Sequence, residues 1–312
     1  MWWKGISAAP SSSKENVDFL VIKGRSASQI GESLYGKGLI KSPLAFKFYV
    51  QATGKSDQIQ AGEFQLSPSY SLKEVVNTLT SAPLELWVTI PEGLRREEMV
   101  SRFIESLKLN SNDAFRFREE FLSATGEDEG YLFPDTYLFP RDISASAVVE
   151  KMKSTFDQKV NTELSDEFSR NDRSLEEIII LASILERETK TDEERPIVAG
   201  ILWKRLDAGW PLQADATVQY AVGGESCQKK VDCNWWPILS REDLEIISPY
   251  NSYKFTGLPP TPISNPGFSS LKGAVLPKES KYWYYIHDSD GKIHYAETLE
   301  GHNANIRKYL GK

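Results

Sequence analysis

Two glutamates end the most hydrophobic run of the chain, where a carboxyl group could act as an acid or a base. The segment "EIIILASILERETK" passes from an apolar stretch into Glu186 and Glu188, with one arginine between them. On a helix, Glu188 lies four residues after Ile184 and continues the apolar stripe. Glu186 lies four residues before Lys190 and is predicted to pair with it on a more solvent-exposed side of the helix.

This placement predicts different protonation behaviour for the two acids. Burial against apolar walls disfavours a charged carboxylate, so the pKa of Glu188 is predicted to be raised. A carboxyl group that stays protonated near neutral pH is suited to act as the general acid in glycosidic cleavage. A solvated helix end without any chemical role is the alternative interpretation.

The element that must position Glu188 is a helix buried on nearly all sides. Ser174 and Glu177 have the spacing of a capping box, which predicts the start of the helix. Apolar residues cover both of its faces up to Leu185. In the following helix, Pro196 suits the first turn and Gly209 suits the C-terminal cap.

Composition limits the classes of protein to be considered. The chain has 312 residues, 40% of them hydrophobic, and a formal net charge of -7, which disfavours a nucleic-acid partner. Its length favours either two domains or one large domain with an appendage. The longest apolar run, Ile178 to Leu185, is too short for a membrane span. The opening "MWWK" has the aromatic and basic character of a membrane interface, so we expect an anchor upstream; a coincidental exposed tail is the alternative.

Cys227 and Cys233 are the only cysteines, and both belong to one short segment. Two cysteines are too few for a structural zinc site without other ligands, and the three histidines lie far downstream. A local disulfide is expected if the compartment is oxidising. No metal and no cofactor is predicted.

The rest of the chain gives a coarse outline of its organisation. Near the N-terminus, Ser26 with Gln29 and Ser71 with Glu74 predict two more capping boxes, in a compact unit that ends near Pro83. The residues after Pro211, including "LQADATVQYAVGG", are predicted to be turn-rich. A terminal hairpin is predicted around residues 289–291.

Several blocks resemble the endolytic murein transglycosylases, the MltG or YceG-like family. These blocks are "ASILERET", "ERPIVAGILWKRLDAGWPLQADATVQYAVG", "SPYNSYKFTGLPPTPISNPG" and "HYAETLEGHNANI". The resemblance implies an α+β protein: a juxtamembrane tail (1–17), a small LysM-like domain (18–83) and a larger mixed catalytic domain with a central buried helix (84–312).

The resemblance also implies an activity. The second glutamate of the family's catalytic motif falls on Glu188. The family cuts peptidoglycan glycan strands between N-acetylmuramic acid and N-acetylglucosamine and leaves 1,6-anhydro ends, as a carbon–oxygen lyase that uses no water. Two alternatives stay open: a water-using muramidase, for which Asp215 could be the second carboxylate, and a non-catalytic wall-binding or division-scaffold protein.

Further residues in the same blocks are expected to bind substrate or support the site. Trp235 and Trp236 could stack on sugars or simply pack over their loop. Ala216 departs from the family, which commonly has proline at this position. The expected supporting residues are Glu186, Arg205, Gln213, Asp215, Thr217, Ser248, Tyr250, Asn251 and Tyr253.

The resemblance finally implies a location and partners. The protein is expected to be a single-pass protein of the inner or plasma membrane with its catalytic domain outside the cytoplasm, which makes a Cys227–Cys233 disulfide more plausible. The expected partners are peptidoglycan strands, the membrane through the N-terminal anchor, and cell-wall synthases or division proteins.

Overall fold

A computed structural model describes residues 2–22, 24–81, 85–141, 143–227 and 233–311. They form a mixed structure of helices and small sheets. The strands are β1 (Val17–Val21), β2 (Gly62–Leu66), β3 (Glu85–Thr89), β4 (Thr136–Pro140), β5 (Tyr284–His287) and β6 (Ile293–Ala296). The helices are α1 (Trp2–Ser7), α2 (Ala27–Gly36), α3 (Pro43–Ala52), α4 (Leu72–Leu79), α5 (Arg96–Leu107), α6 (Ser111–Thr125), α7 (Ala145–Glu163), α8 (Ser165–Ser169), α9 (Leu175–Glu188), α10 (Glu194–Asp207), α11 (Asp215–Cys227), α12 (Phe268–Val275) and α13 (Leu299–Asn305).

The chain forms two compact units that alternate along the sequence. Unit 1 comprises residues 1–89, 102–110 and 136–144, and unit 2 comprises residues 90–101, 111–135 and 145–312. The predicted division between residues 83 and 84 is linear, whereas these units are interleaved. Within the described ranges, no helix combines the length and the apolar character that a membrane crossing requires.

Unit 1 is built on an antiparallel sheet with the strand order β1-β2-β3-β4. The outer pairs are extensive, with β1 on β2 from Val17↔Leu66 onward and β3 on β4 from Glu85↔Pro140 onward, while β2 and β3 meet at Glu63↔Glu85. The helices α2, α3 and α4 bury a separate apolar core against β1 and β2. The likeness of this region to a LysM domain stays a prediction.

Both predicted capping boxes of unit 1 are present. The Ser26 side chain caps α2 together with Gln29, and the Ser71 side chain caps α4 together with Glu74. The apolar residues of α4 share one face of the helix and are buried in the core: Leu72, Val75, Val76 and Leu79. The starts of these two helices were predicted from local sequence signals alone, and the structure confirms them.

The centre of unit 2 is α9, which is buried on all sides from Ile178 to Leu185. Ser174 and Glu177 form the predicted capping box. The helix packs against α10, α11 and α12, and its apolar residues form the largest core of the unit. Gly209 follows α10 with a φ of 68°, the left-handed conformation expected after a helix end.

The prediction of turns after Pro211 was wrong for one important segment. Asp215–Cys227 is helical (α11) although it contains Gly223 and Gly224. Gly223 is needed for close packing, since a Cβ there would lie 2.1 Å from the carbonyl oxygen of Trp235. The helix ends at Cys227, which forms a disulfide with Cys233. The predicted hairpin is confirmed, with β5 and β6 paired antiparallel from Tyr284↔Ala296 to His287↔Ile293.

Candidate active site

Glu188 is the last residue of α9, and its carboxyl group lines a cleft of about 570 Å³ in unit 2. Its Oε2 accepts a hydrogen bond from the hydroxyl of Tyr285 at 3.1 Å. Its Oε1 accepts a longer one from the backbone N–H of Ala216 at 3.4 Å. Strand β5 and the first turn of α11 therefore fix the carboxyl group at the end of the apolar helix.

The environment raises the pKa of Glu188 to about 7. Burial is the largest cause, and the negative charge of Asp215 is the second. The hydrogen bonds from Ala216 and Tyr285 and the charge of Arg205 act in the opposite direction and only partly compensate. The predicted direction of the shift is thus confirmed, and a large fraction of this acid is protonated at neutral pH.

Arg205 is buried beside the cleft and holds two of its walls together. Its Nε donates a hydrogen bond of 2.9 Å to the carbonyl oxygen of Trp283, the residue that precedes β5. Its guanidinium also donates to the carbonyl oxygen of Leu212 at 2.5 Å. These bonds connect the strand that carries Tyr285 with the segment that leads into α11. Arg205 is therefore a positioning residue whose positive charge also acts on Glu188.

Asp215 and Gln213 line the same cleft from the start of α11. Asp215 accepts a hydrogen bond from the hydroxyl of Tyr253 at 2.6 Å. Gln213 has a φ of 53°, which is unusual for a residue other than glycine, and its backbone N–H donates to the carbonyl oxygen of Ser252 at 3.1 Å. Such a conformation is kept only where the surroundings impose it.

Thr217 and Asn251 support the cleft from behind and do not line it. Thr217 is fully buried, and its hydroxyl bonds Ala214 and the Ser252 hydroxyl, both at 2.8 Å. Asn251 donates from Nδ2 to the carbonyl oxygens of Leu244 and Ile246, both at 2.9 Å, and so shapes the loop that presents Tyr253. Their polar groups are engaged within the protein and are not directed at a ligand.

Ser248 and Tyr250 have similar structural roles. The Ser248 hydroxyl accepts from the backbone N–H of Tyr250 at 3.3 Å. The Tyr250 hydroxyl shares a hydrogen bond with Thr261 at 2.7 Å, and its ring lies 4.8 Å from that of Tyr220. Of the predicted supporting residues, those that line the cleft with Glu188 are Arg205, Gln213, Asp215 and Tyr253.

The predicted pairing of Glu186 with Lys190 was wrong. Glu186 forms an ion pair with Arg195 at 3.3 Å, and the two side chains are only 7% and 9% exposed, respectively. Its other oxygen accepts from the backbone N–H of Gly267 at 2.9 Å. The Lys190 side chain lies instead against Gly291 in the hairpin turn. A buried guanidinium satisfies a carboxylate better than an exposed lysine does, so tertiary packing decides this pair.

Trp235 and Trp236 pack against arginines rather than lining the cleft. The guanidinium of Arg187 lies 3.9 Å from the centre of the Trp236 ring, and that of Arg95 lies 4.6 Å from the centre of the Trp235 ring. The indole N–H of Trp236 donates to Glu98 at 2.8 Å. The packing interpretation of these two residues is the one that the geometry favours.

Residues at the C-terminal end of the chain complete the cleft, and the sequence interpretation had assigned none of them. Tyr285 was missed although its alternating strand was predicted. Ser252, which bonds Thr217, Gln213 and Ala214, was missed as well.

Among the described residues, no group of three or more His, Cys, Asp or Glu side chains is placed to hold a metal ion. The C-terminal residues that line the cleft are Tyr284, Tyr285, Ile286, His287, Leu299, His302, Asn303, Ile306 and Leu310.

Comparison with known proteins shows which family this chain belongs to. A sequence model described as the YceG-like family matches residues 19–308. The chain belongs to the YceG-like family. A protein of Bacillus subtilis (strain 168) named endolytic murein transglycosylase is 31% identical over 321 residues, which cover 96% of this chain and 86% of that protein.

Two further relatives agree with this membership. An endolytic murein transglycosylase of Streptococcus pneumoniae (serotype 2, strain D39) is 27% identical, and the match covers 96% of this chain and 59% of the pneumococcal protein. A crystal structure of a YceG-like protein from Listeria monocytogenes superposes with a TM-score of 0.59 at 31% identity, over 94% of this chain and 99% of the other. The mixed α and β architecture is thus that of a known family member.

Proposed function

We propose that this protein is an endolytic peptidoglycan lytic transglycosylase that cleaves the bond between N-acetylmuramic acid and N-acetylglucosamine. The observation that carries the proposal is the carboxyl group of Glu188, held in a cleft with its pKa raised to about 7. The names of the Bacillus and Streptococcus relatives support the same substrate and reaction. The expected product ends are 1,6-anhydro-muramoyl residues.

A single carboxyl group can perform both proton transfers of this reaction. Glu188 first donates its proton to the glycosidic oxygen, and the bond from that oxygen to C1 of the muramoyl sugar breaks. The resulting carboxylate then accepts the proton of the C6 hydroxyl as its oxygen bonds to C1, which closes the anhydro ring and restores the acid. The hydrogen bonds from Tyr285 and Ala216 stabilise the carboxylate between the two steps.

Asp215 is the reason to keep a water-using muramidase as a second candidate. It lines the same cleft as Glu188 and its charge acts on that carboxyl group. A hydrolase needs such a second carboxylate to activate water or to form a covalent intermediate. In the lytic reaction, Asp215 instead stabilises positive charge at C1, while Tyr253 holds it in place. A non-catalytic wall-binding role would leave the raised pKa of Glu188 without a use.

We also propose the location and partners that family membership favours. The protein would work outside the cytoplasm, attached by an N-terminal anchor, and the Cys227–Cys233 disulfide is compatible with an oxidising compartment. The LysM-like region would hold glycan strands, and cell-wall synthases or division proteins would be neighbours. Membrane fractionation and protease accessibility in intact cells test the location; a cytoplasmic pool would contradict it.

Mass analysis of muropeptides tests the reaction itself. Purified glycan strands are incubated with the wild-type protein or with Glu188→Gln, and the masses of the newly formed ends are measured by mass spectrometry. An anhydro end is lighter than a reducing end by one water. Anhydro ends from the wild type alone support the lytic reaction, reducing ends support the muramidase, and no new ends from folded wild-type protein would exclude both.

A further inference from the structure

The cleft has a second wall that the proposed reaction leaves without a role. It is formed by α13 and by the wider helical turn that follows it, Ile306–Leu310. We call this the C-terminal wall, and its cleft-lining residues recur at a spacing that keeps them on one face. These residues are Leu299, His302, Asn303, Ile306 and Leu310.

Three of the five residues of the C-terminal wall, Leu299, Ile306 and Leu310, are apolar, and the wall is partly open to solvent. Leu299 is 52% exposed and Leu310 is 37% exposed, although both border a concave site. The residues around Glu188 are mainly polar by contrast: Arg205, Gln213 and Asp215 lie there. Apolar surface in a cleft favours a ligand that removes it from water. The site is therefore matched to a ligand that is polar on one side and apolar on the other.

His302 adds a polar group that has no partner within the described part of the protein. Its Nδ1 is shielded from solvent and makes no hydrogen bond there. The ring is stacked on that of Tyr284, with 5.1 Å between the ring centres. Burial, together with the charge of Arg205, lowers the pKa of the imidazole and so favours its neutral form. A buried polar atom of this kind is normally paired, so a ligand amide or hydroxyl is a fitting partner.

We propose that the C-terminal wall binds the lactyl group and the first peptide residues attached to the muramoyl sugar. This inference rests on the proposed function. The muramoyl sugar carries hydroxyl groups on its ring and, through an ether, a methyl-bearing lactyl amide that continues as peptide. The polar residues face the sugar ring, Leu299, Ile306 and Leu310 contact the methyl groups, and His302 bonds an amide. The protein therefore prefers strands that carry stem peptides over naked glycan.

A substrate comparison tests this preference directly. One strand preparation keeps its stem peptides, and the same preparation is stripped of them by an amidase. The wild type is expected to cut peptide-bearing strands with a kcat/KM roughly tenfold higher or more, the range that a small apolar contact provides. Ile306→Ala and Leu310→Ala should remove most of this preference, chiefly by raising KM for peptide-bearing strands.

Two further variants sharpen the result. His302→Phe keeps a ring to stack on Tyr284 but removes both ring nitrogens, and it should lower kcat/KM on peptide-bearing strands only. Leu276→Ala is the matched control, since Leu276 is 45% exposed and belongs to a different surface of unit 2. This substitution should leave kcat/KM unchanged on both strand preparations. Thermal melting of each variant confirms that it is folded.

The outcomes separate this inference from the proposed function. Equal cleavage of both substrates by the wild type would overturn the peptide subsite while leaving the transglycosylase assignment intact. Equal losses on both substrates in the wall variants would also overturn it, because the wall would then bind the sugar itself. Failure of the wild type to cut either substrate would remove the proposed function, and the inference with it.

Discussion

The hydroxyl of Tyr285 donates to Oε2 of Glu188 at 3.1 Å, across 97 residues of sequence. This bond favours the carboxylate and therefore lowers the pKa of Glu188. Tyr285→Phe should raise that pKa, and the decline of kcat/KM at high pH should move upward by on the order of one pH unit. A pH–rate profile measures the change. A profile that moved downward would contradict the assignment of the bond.

Ala216→Pro removes the backbone N–H that bonds Glu188. Proline is tolerated in the first turn of a helix, so α11 should persist. The pKa of Glu188 should rise, in the same direction as in Tyr285→Phe, because the hydrogen bond from this N–H lowers it. An unchanged pH profile would mean that this N–H does not act on the acid.

Glu188→Gln should abolish both proton transfers because the amide neither donates nor accepts the required proton. Activity should fall by at least ~10²–10⁴-fold, while binding of glycan strands persists. Anhydro ends are counted by mass, and glycan binding is measured by sedimentation. Wild-type rates in this variant would end the assignment of Glu188.

Glu186→Gln is the companion substitution, and its expected effect differs in kind. It weakens the buried pair with Arg195, so thermal stability should fall, while the folded fraction keeps most of its activity. A loss of activity as large as that of Glu188→Gln, in fully folded protein, would show that Glu186 takes part in the chemistry.

Asp215→Asn separates the two candidate reactions. Its charge raises the pKa of Glu188, so its removal should move the alkaline decline of activity to lower pH, opposite to Tyr285→Phe. In the lytic reaction the loss at pH 6 should be partial, with anhydro ends still the product. In a two-carboxylate hydrolase the loss should approach that of Glu188→Gln, and reducing ends should be the product of the wild type.

The free energy of unfolding should depend on pH because of the raised pKa of Glu188. The folded pKa of Glu188 is about 7, above the unfolded value near 4.5, so the folded state binds the proton more tightly. Ionisation therefore destabilises the fold: the penalty is absent below pH ~4.5, grows between 4.5 and 7, and is complete above 7. Glu188→Gln should raise the free energy of unfolding at pH 8 by up to roughly 3 kcal/mol and change it little at pH 4. Denaturant titrations at both pH values measure this difference.

The parts of the site that the sequence predicted are those with local signals. The capping box at Ser174, the buried α9 and the direction of the pKa shift of Glu188 could be predicted from the apolar stripe and the capping residues of one helix. The family resemblance added Arg205, Gln213, Asp215 and Tyr253, which do line the cleft.

The parts that were missed depend on contacts between distant segments. Nothing in the alternation of β5 indicates that Tyr285, rather than a neighbouring tyrosine, meets Glu188. Helical spacing places Lys190 near Glu186, and only the fold shows that Arg195, nine residues away in sequence, is the buried partner. The C-terminal wall follows from the packing of α13, for which the sequence interpretation had offered no role.

The interleaving of the two units has a consequence for the nascent chain on the ribosome. Residues 19–79 hold the whole apolar core beneath β1 and β2, so this part can fold as soon as it emerges. The sheet of unit 1 is complete only after Pro140 has been synthesised. Until β3 has emerged, the second edge of β2 is unpaired, and from then until β4 has emerged the outer edge of β3 is unpaired. Unpaired edges invite pairing with other chains. A slow decoding step between residues 80 and 140 would therefore prolong the period in which neighbouring nascent chains can aggregate or exchange strands.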